Sequence, residues 1–205
     1  MTCSLSKREQ NKARKRAEIV QIATRSFFDY GYAATSMSSI SEELGGSKAT
    51  LWAHFSSKEE LLAAVMDEHI DAFARDVEEV LVSQTFSLPA VRRACLRFLD
   101  CLLQEKSVLL FTLVLTEGQR FPEISRMFYL RGPEKLRARL AEFYATRFPK
   151  AQAERLMRVT IAAITGIRTD ILLRTANPTA AERETLIDEI IDVVIRPAAR
   201  QAGLD

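Results

Sequence analysis

The chain has 205 residues, of which 47% are hydrophobic and 27% charged, so it can bury a core and is neither fibrous nor intrinsically disordered. Glycine (7) and proline (6) are scarce, which favours helix throughout, and the polar first 18 residues with a longest apolar run at 108–115 argue against a signal peptide and a bilayer-spanning helix. The net charge of +2 is uneven: residues 1–58 hold 9 Lys/Arg against 5 Asp/Glu and residues 59–205 hold 20 against 22, a pattern that suits a polyanion-binding head as well as a solvated basic tail.

Residues 1–11 are polar and expected to be disordered. Lys7, Arg8, Lys12, Arg14, Lys15 and Arg16 lead into a first helix predicted over 12–30, and so basic an arm can lie along phosphates or enter a minor groove. Ile19, Ile22, Ala23, Phe27 and Phe28 fill the inner face of that helix, and Gly31 ends it. Met37, Ile40 and Leu44 then recur at helical spacing, with Thr35 and Ser36 as candidate N-caps. Gly45-Gly46 stops this helix, Ser47 caps another, and Lys48 to His54 form it. Two short helices across a tight glycine turn read as a helix-turn-helix over 36–55, whose second helix lies in a DNA major groove.

The flanks extend the pattern. Tyr30-Gly31-Tyr32 precedes the motif, and Trp52, His54-Phe55, Lys58-Glu59 and Leu61-Leu62 follow it. Together with Thr35-Ser36-Met37, Ile40, Gly45 and Leu51, these residues resemble the N-terminal domain of TetR-type transcriptional regulators over about residues 16–65. Three positions depart from the family pattern: Ser41 replaces Ala, Gly46 replaces the Val of the turn, and Trp52 replaces Tyr. The resemblance implies an all-α fold, with a three-helix helix-turn-helix DNA-binding domain over 12–62 and a helical ligand-binding and dimerisation domain over 63–205. It also implies a homodimer on a palindromic double-stranded operator, repression as the default, release by a small effector, a cytoplasmic location, and neither cofactor nor metal.

A fourth helix is predicted over 57–83, opened by Ser57 and Glu60 at capping-box spacing, and it links head to body. Leu88-Pro89 opens a fifth. A sixth, over 106–117, is apolar nearly all round and expected to be buried. Pro122 starts a seventh that ends at Gly132-Pro133, and an eighth covers 134–148. Residues 117–132 resemble the AcrR/AefR-like subgroup of the family. Helices over 151–174 and 179–199 complete the chain, the second limited by Pro197. Cys95 and Cys101 lie six residues apart on one helix, a rise of about 9 Å, too far for a disulfide. Both are expected to be free thiols.

Lys48, Ala49 and Thr50 are the candidate base readers: lysine suits guanine O6 or N7, alanine a thymine methyl, and threonine either edge. Ser47, Trp52 and His54 join them on the DNA side, where the family contacts phosphates; His54 can donate to phosphate or cap the corner before the fourth helix. Lys58, at a helix start, suits a phosphate, and Thr35 and Ser36 suit either a phosphate or pure capping. Leu51 and Phe55 read as core. An effector pocket is expected among Phe98, Phe111, Leu115, Met127, Phe128 and Phe143, although a plain core accounts for each equally well. The resemblance also implies a dimer interface on the last two helices, at Ile164, Ile167, Ile171, Ile187, Ile190, Ile191 and Val194; their apolar stripes are wider than one core face needs, and ordinary burial within one subunit is the alternative.

An enzyme is disfavoured. Only His54 and His69 are present, and Gly45-Gly46-Ser47-Lys48-Ala49-Thr50 lacks the order of a phosphate loop. The remaining rival is an all-helical ligand carrier or interaction domain without sequence-specific DNA binding.

Overall fold

The computed structural model describes residues 6–45, 48–81, 85–174, 176 and 178–203, and these contain helices and no strand. The helices are α1 (Lys7–Ala34), α2 (Met37–Glu43), α3 (Lys48–Trp52), α4 (Lys58–Leu81), α5 (Leu88–Leu103), α6 (Glu105–Glu117), α7 (Pro122–Arg131), α8 (Pro133–Ala145), α9 (Lys150–Leu172), α10 (Ala180–Ile190), a π-helical turn (Ile191–Ile195) and α11 (Arg196–Gln201).

Two compact units result. The first takes Met1–His69 together with Leu109–Phe128, so the second half of α6 and most of α7 belong with the N-terminal helices. The second takes Ile70–Val108 and Tyr129–Asp205.

In the first unit α1 starts earlier than its composition suggests. Ser6 Oγ accepts the Glu9 N–H while the Glu9 carboxylate accepts the Ser6 N–H, a reciprocal capping box that makes residues 7–11 helical. The expectation of disorder over 1–11 is therefore corrected for 6–11; residues 1–5, Cys3 included, lie outside the described residues. Near its other end α1 breaks at Gly31, which takes φ +83° and ψ 166°. Glycine reaches this region without a Cβ penalty. Ile19, Ala23, Phe27 and Tyr32 of α1 are buried with Ile40 of α2, Leu51 of α3, Phe55, and Leu61, Leu62, Val65 and Met66 of α4. A five-residue helix such as α3 cannot stand alone, and this core is what holds it.

The second unit packs α5, α8, α9 and α10 around Phe86, Val91, Leu99, Leu140, Phe143, Tyr144, Ile164 and Ile187. One buried hydroxyl pair, Tyr144 to Thr160 at 2.9 Å, satisfies both polar groups inside it. At the rim, Arg92 bridges Asp188 at 2.6 Å and Glu184 at 3.0 Å, and Arg183 meets Asp100 at 3.0 Å, tying α5 to α10. The single last helix expected over 179–199 is instead two segments joined by the π-helical turn. Pro197 lacks an N–H and its ring crowds the carbonyl four residues earlier, so the backbone widens there rather than stopping.

Two further expectations are corrected. Helix α6 is only partly covered: Leu110, Leu113 and Val114 are buried, whereas Leu109 and Leu115 are exposed. The carboxylate of Glu60 turns to the N–H and hydroxyl of Ser56, both at 2.7 Å, while the Ser57 hydroxyl caps the Glu60 N–H at 3.1 Å. Cys95 and Cys101 are free and buried. Burial pushes their thiols up to about 12 and about 11, far from reactive thiolates. No described helix is long and apolar enough to cross a membrane.

Candidate nucleic-acid interface

The helix-turn-helix is built from its caps inward. Ser36 is the N-cap of α2; its hydroxyl accepts the Ser39 N–H at 3.0 Å, and its own N–H donates to Ser39 Oγ at 3.1 Å. Gly45 follows α2 at φ +63°. Gly46 and Ser47 lie outside the described residues. In α3, Leu51 is fully buried, and this fixes the helix rotation. Lys48, Ala49 and Trp52 then face outward, Trp52 with 52% of its surface exposed, and Thr50 is half-buried. These positions form one contiguous outward face, since residues four apart stack on a helix.

His54 is half-buried, and its Nδ1 is buried without a hydrogen-bond partner among the described residues. Burial, with smaller contributions from Lys12, Arg16 and Lys15, holds its pKa below the ordinary histidine value, so it is neutral near pH 7. Arg16 also lies over the Phe55 ring, 4.8 Å from its centre. The basic residues of α1 thus surround the α3–α4 corner.

The side chains of Thr35 and Lys58 are tied to the end of α1. Thr35 is 3% exposed, and its hydroxyl donates to the carbonyls of Gly31 at 2.8 Å and Ser26 at 3.0 Å. The Lys58 ammonium donates to the Tyr32 carbonyl at 2.9 Å and the Thr35 carbonyl at 3.0 Å, and sits 4.1 Å from the centre of the Tyr32 ring. Two of its N–H groups thus satisfy carbonyls at the end of α1. The Tyr32 hydroxyl in turn donates to Glu59 at 2.9 Å. Burial, the Glu59 bond and nearby carboxylates push its pKa well up, and it stays neutral.

The expected pocket residues are divided between the two units. Phe98 lines an apolar cavity of about 10 Å³ with Val77, Ala94, Cys95, Leu136, Leu140, Thr160 and Ile164. Phe143 lies in the aromatic cluster of Phe86 and Tyr144. Phe111 and Phe128 are ring neighbours at 6.4 Å in the first unit, Met127 is half-buried there, and Leu115 is 59% exposed. The residues of the expected interface stripe lie as follows. Ile164, Ile171, Ile187, Ile190 and Ile191 are buried in the second unit's own core, with Ile167 and Val194 half-buried beside them. The exposed apolar side chains on these elements are Val159, Leu172 and Val193, with Leu173 just after α9. Sequence reasoning missed the Tyr32, Lys58 and Glu59 cluster, whose partners are far apart in sequence.

Two family models match successive parts of the chain. Residues 19–65 match the model of bacterial regulatory proteins of the tetR family, and residues 89–197 match the C-terminal domain of AefR-like transcriptional repressors. The HTH-type transcriptional activator FasR of Mycolicibacterium smegmatis is 36% identical over 86 residues, covering 42% of this chain and 39% of that protein. The HTH-type transcriptional repressor ComR of Escherichia coli is 35% identical over 86 residues, covering 42% and 41%. The chain therefore spans about two fifths of the length of these curated relatives. Among solved structures, the flavonoid-responsive regulator FrrA is 28% identical with a TM-score of 0.74, covering 90% of this chain and 97% of that one. A TetR-family regulator from Mesorhizobium loti is 25% identical with a TM-score of 0.73, covering 91% and 97%. On these matches the chain belongs to the TetR family of bacterial regulatory proteins, a family of transcriptional regulators rather than enzymes.

Proposed function

We propose that the protein is a homodimeric repressor that binds a palindromic operator through residues 12–62 and releases it when a small apolar or aromatic ligand binds within residues 63–205. The observation that carries this reading is the outward face of α3, where Lys48, Ala49 and Trp52 are exposed while Leu51 is buried. Lys48, Ala49 and Thr50 read base edges. Ser36, Ser47, Trp52 and His54 meet phosphates, the indole N–H of Trp52 reaching one oxygen. Thr35 and Lys58 brace the motif at the end of α1. Work on chromosomal DNA puts the protein in the cytoplasm.

Dimerisation is supported by Val159, Leu172, Leu173 and Val193, large apolar side chains exposed on the second unit. A two-fold pair presents two α3 helices to two half-sites. The curated relatives divide between repressor and activator, so the sign of regulation is tested directly, by a reporter behind the bound operator.

FrrA is a flavonoid-responsive regulator, which supports an aromatic effector here. The cavity around Phe98 and Thr160, at about 10 Å³, holds no more than a water-sized guest. A ligand there must therefore favour a more open conformation, and its preference for that state sets how far DNA affinity falls. Helix α4, with residues in both units, is the proposed route. Footprinting on DNA next to the protein's own gene, with and without flavonoid-like ligands, tests the reading. Salt-insensitive, sequence-independent binding would favour the carrier instead.

A further inference from the structure

We infer that Glu117, the last residue of α6, is a positioning residue for DNA reading: its carboxylate locks the break in α1 from which α2 and α3 are hung. The inference rests on the reading of α3 given above.

Gly31 is non-helical inside α1, so a new first turn begins after it, and the N–H groups of a first turn need acceptors from outside their own ladder. Glu117 Oε1 accepts the Ala33 N–H at 3.1 Å and so caps the short last turn from another helix. A negative group suits this place, because exposed N–H groups carry partial positive charge. The fit is close: a Cβ on residue 31 would lie 2.7 Å from the same carboxylate oxygen. Any other residue at position 31 is strained by the positive φ, and its Cβ would push the Glu117 carboxylate away from the Ala33 N–H.

The same three residues are gripped on further sides. The ring of Tyr32 meets Phe121 edge to face, 5.1 Å between centres, while Lys58 and Glu59 hold its carbonyl and hydroxyl. Glu117 and Phe121 move together, since the Phe121 N–H donates to the Glu117 carbonyl at 2.8 Å. A Cβ on Gly118 would overlap Ser125 Oγ and the Val114 carbonyl, so the corner between α6 and α7 is close-packed. Directly after the locked turn come Thr35 and the N-cap Ser36, whose geometry sets where α2 starts. Helix α6 begins with residues of the second unit and ends at this lock in the first. A shift of α6 along its axis withdraws the carboxylate, frees the break and lowers the population of the reading conformation, and apparent DNA affinity falls by that fraction.

The test uses the full chain and the duplex it selects from a random pool. Glu117→Ala and Glu117→Gln are compared with wild type by fluorescence anisotropy and by hydrogen exchange at the Ala33 amide. Glu117→Ala is expected to weaken operator binding about ten-fold with an unchanged salt slope and to lose Ala33 protection. Glu117→Gln, which keeps an acceptor oxygen, restores most of both. In a double-mutant cycle, Gly31→Ala is expected to cost less affinity in the Glu117→Ala background, where no carboxylate is left for the new Cβ to displace. Operator affinity within two-fold of wild type in Glu117→Ala, or an additive cycle, overturns the inference alone. A wild-type chain that selects no duplex overturns the reading of α3 and this inference with it.

Discussion

Replacing Lys58 by methionine separates two jobs that a lysine at a helix start can do. Methionine keeps most of the aliphatic stem and removes only the ammonium. That group makes two hydrogen bonds to carbonyls, at 2.9 and 3.0 Å, and lies 4.1 Å from the Tyr32 ring centre. Bonds from a charged donor are worth about 1.5–3 kcal/mol each when well shielded, and a cation over a ring about 0.5–1 kcal/mol at an exposed site. Lys58 is half-exposed, so the lower ends apply, and the sum is roughly 2–3 kcal/mol after screening. For a chain of this size that is a drop of roughly 4–12 °C in melting temperature. The assay pairs thermal unfolding with anisotropy titrations across a salt series. A phosphate contact, when lost, reduces the slope of log affinity against log salt by about 0.9. The structure predicts a large fall in melting temperature with no change in slope. A variant as stable as wild type with a reduced slope would refute the reasoning and return Lys58 to the DNA surface.

Four other outcomes are expected. Lys48→Ala should cost about 1–3 kcal/mol of specific binding and relax preference at one base position, as read by competition with point-substituted duplexes. His54 is held below its ordinary pKa, so the folded state binds fewer protons than the unfolded state; its contribution is complete above pH 6.5 and declines as pH falls through the lower folded value. The urea midpoint should therefore fall from pH 7.5 to 5.5, and by less in His54→Gln. Phe98→Ala enlarges the small cavity and should cost about 3–5 kcal/mol of stability while admitting a larger apolar probe, measured by urea unfolding and dye binding. Removing residues 1–11 should weaken DNA binding and flatten its salt slope while leaving the preferred sequence unchanged, as shown by repeating the pool selection.

Local signals reached the structure wherever one element carried its own start and stop. Helix α7 is bounded by Pro122 and Gly132-Pro133, and the sequence places it at the residues observed. The Ser6–Glu9 box carries α1 forward of the start that the polar composition of residues 1–11 suggests. The buried faces of α2 and α3 follow from Ile40 and Leu51. What sequence could not supply were partners between distant segments. Nothing near Lys58 says that its ammonium turns back to the end of α1, and nothing near Glu117 points to Ala33. The wide isoleucine stripes of α9 and α10 have the width expected of an interface. Helix α5 packs on both of them and α8 on α9, which the sequence pattern alone does not reveal. The π-helical turn likewise depends on what the backbone before Pro197 does once its hydrogen bond is missing.

Hydroxyl-radical footprinting of the selected duplex tests the central claim most directly. Two α3 helices presented by a symmetric pair should protect two patches related by a two-fold axis, on one side of the duplex and about one helical turn, roughly 34–36 Å, or a multiple apart. Lys48→Ala should fade both patches together. A single patch, protection that ignores sequence, or patches untouched by Lys48→Ala would contradict the account.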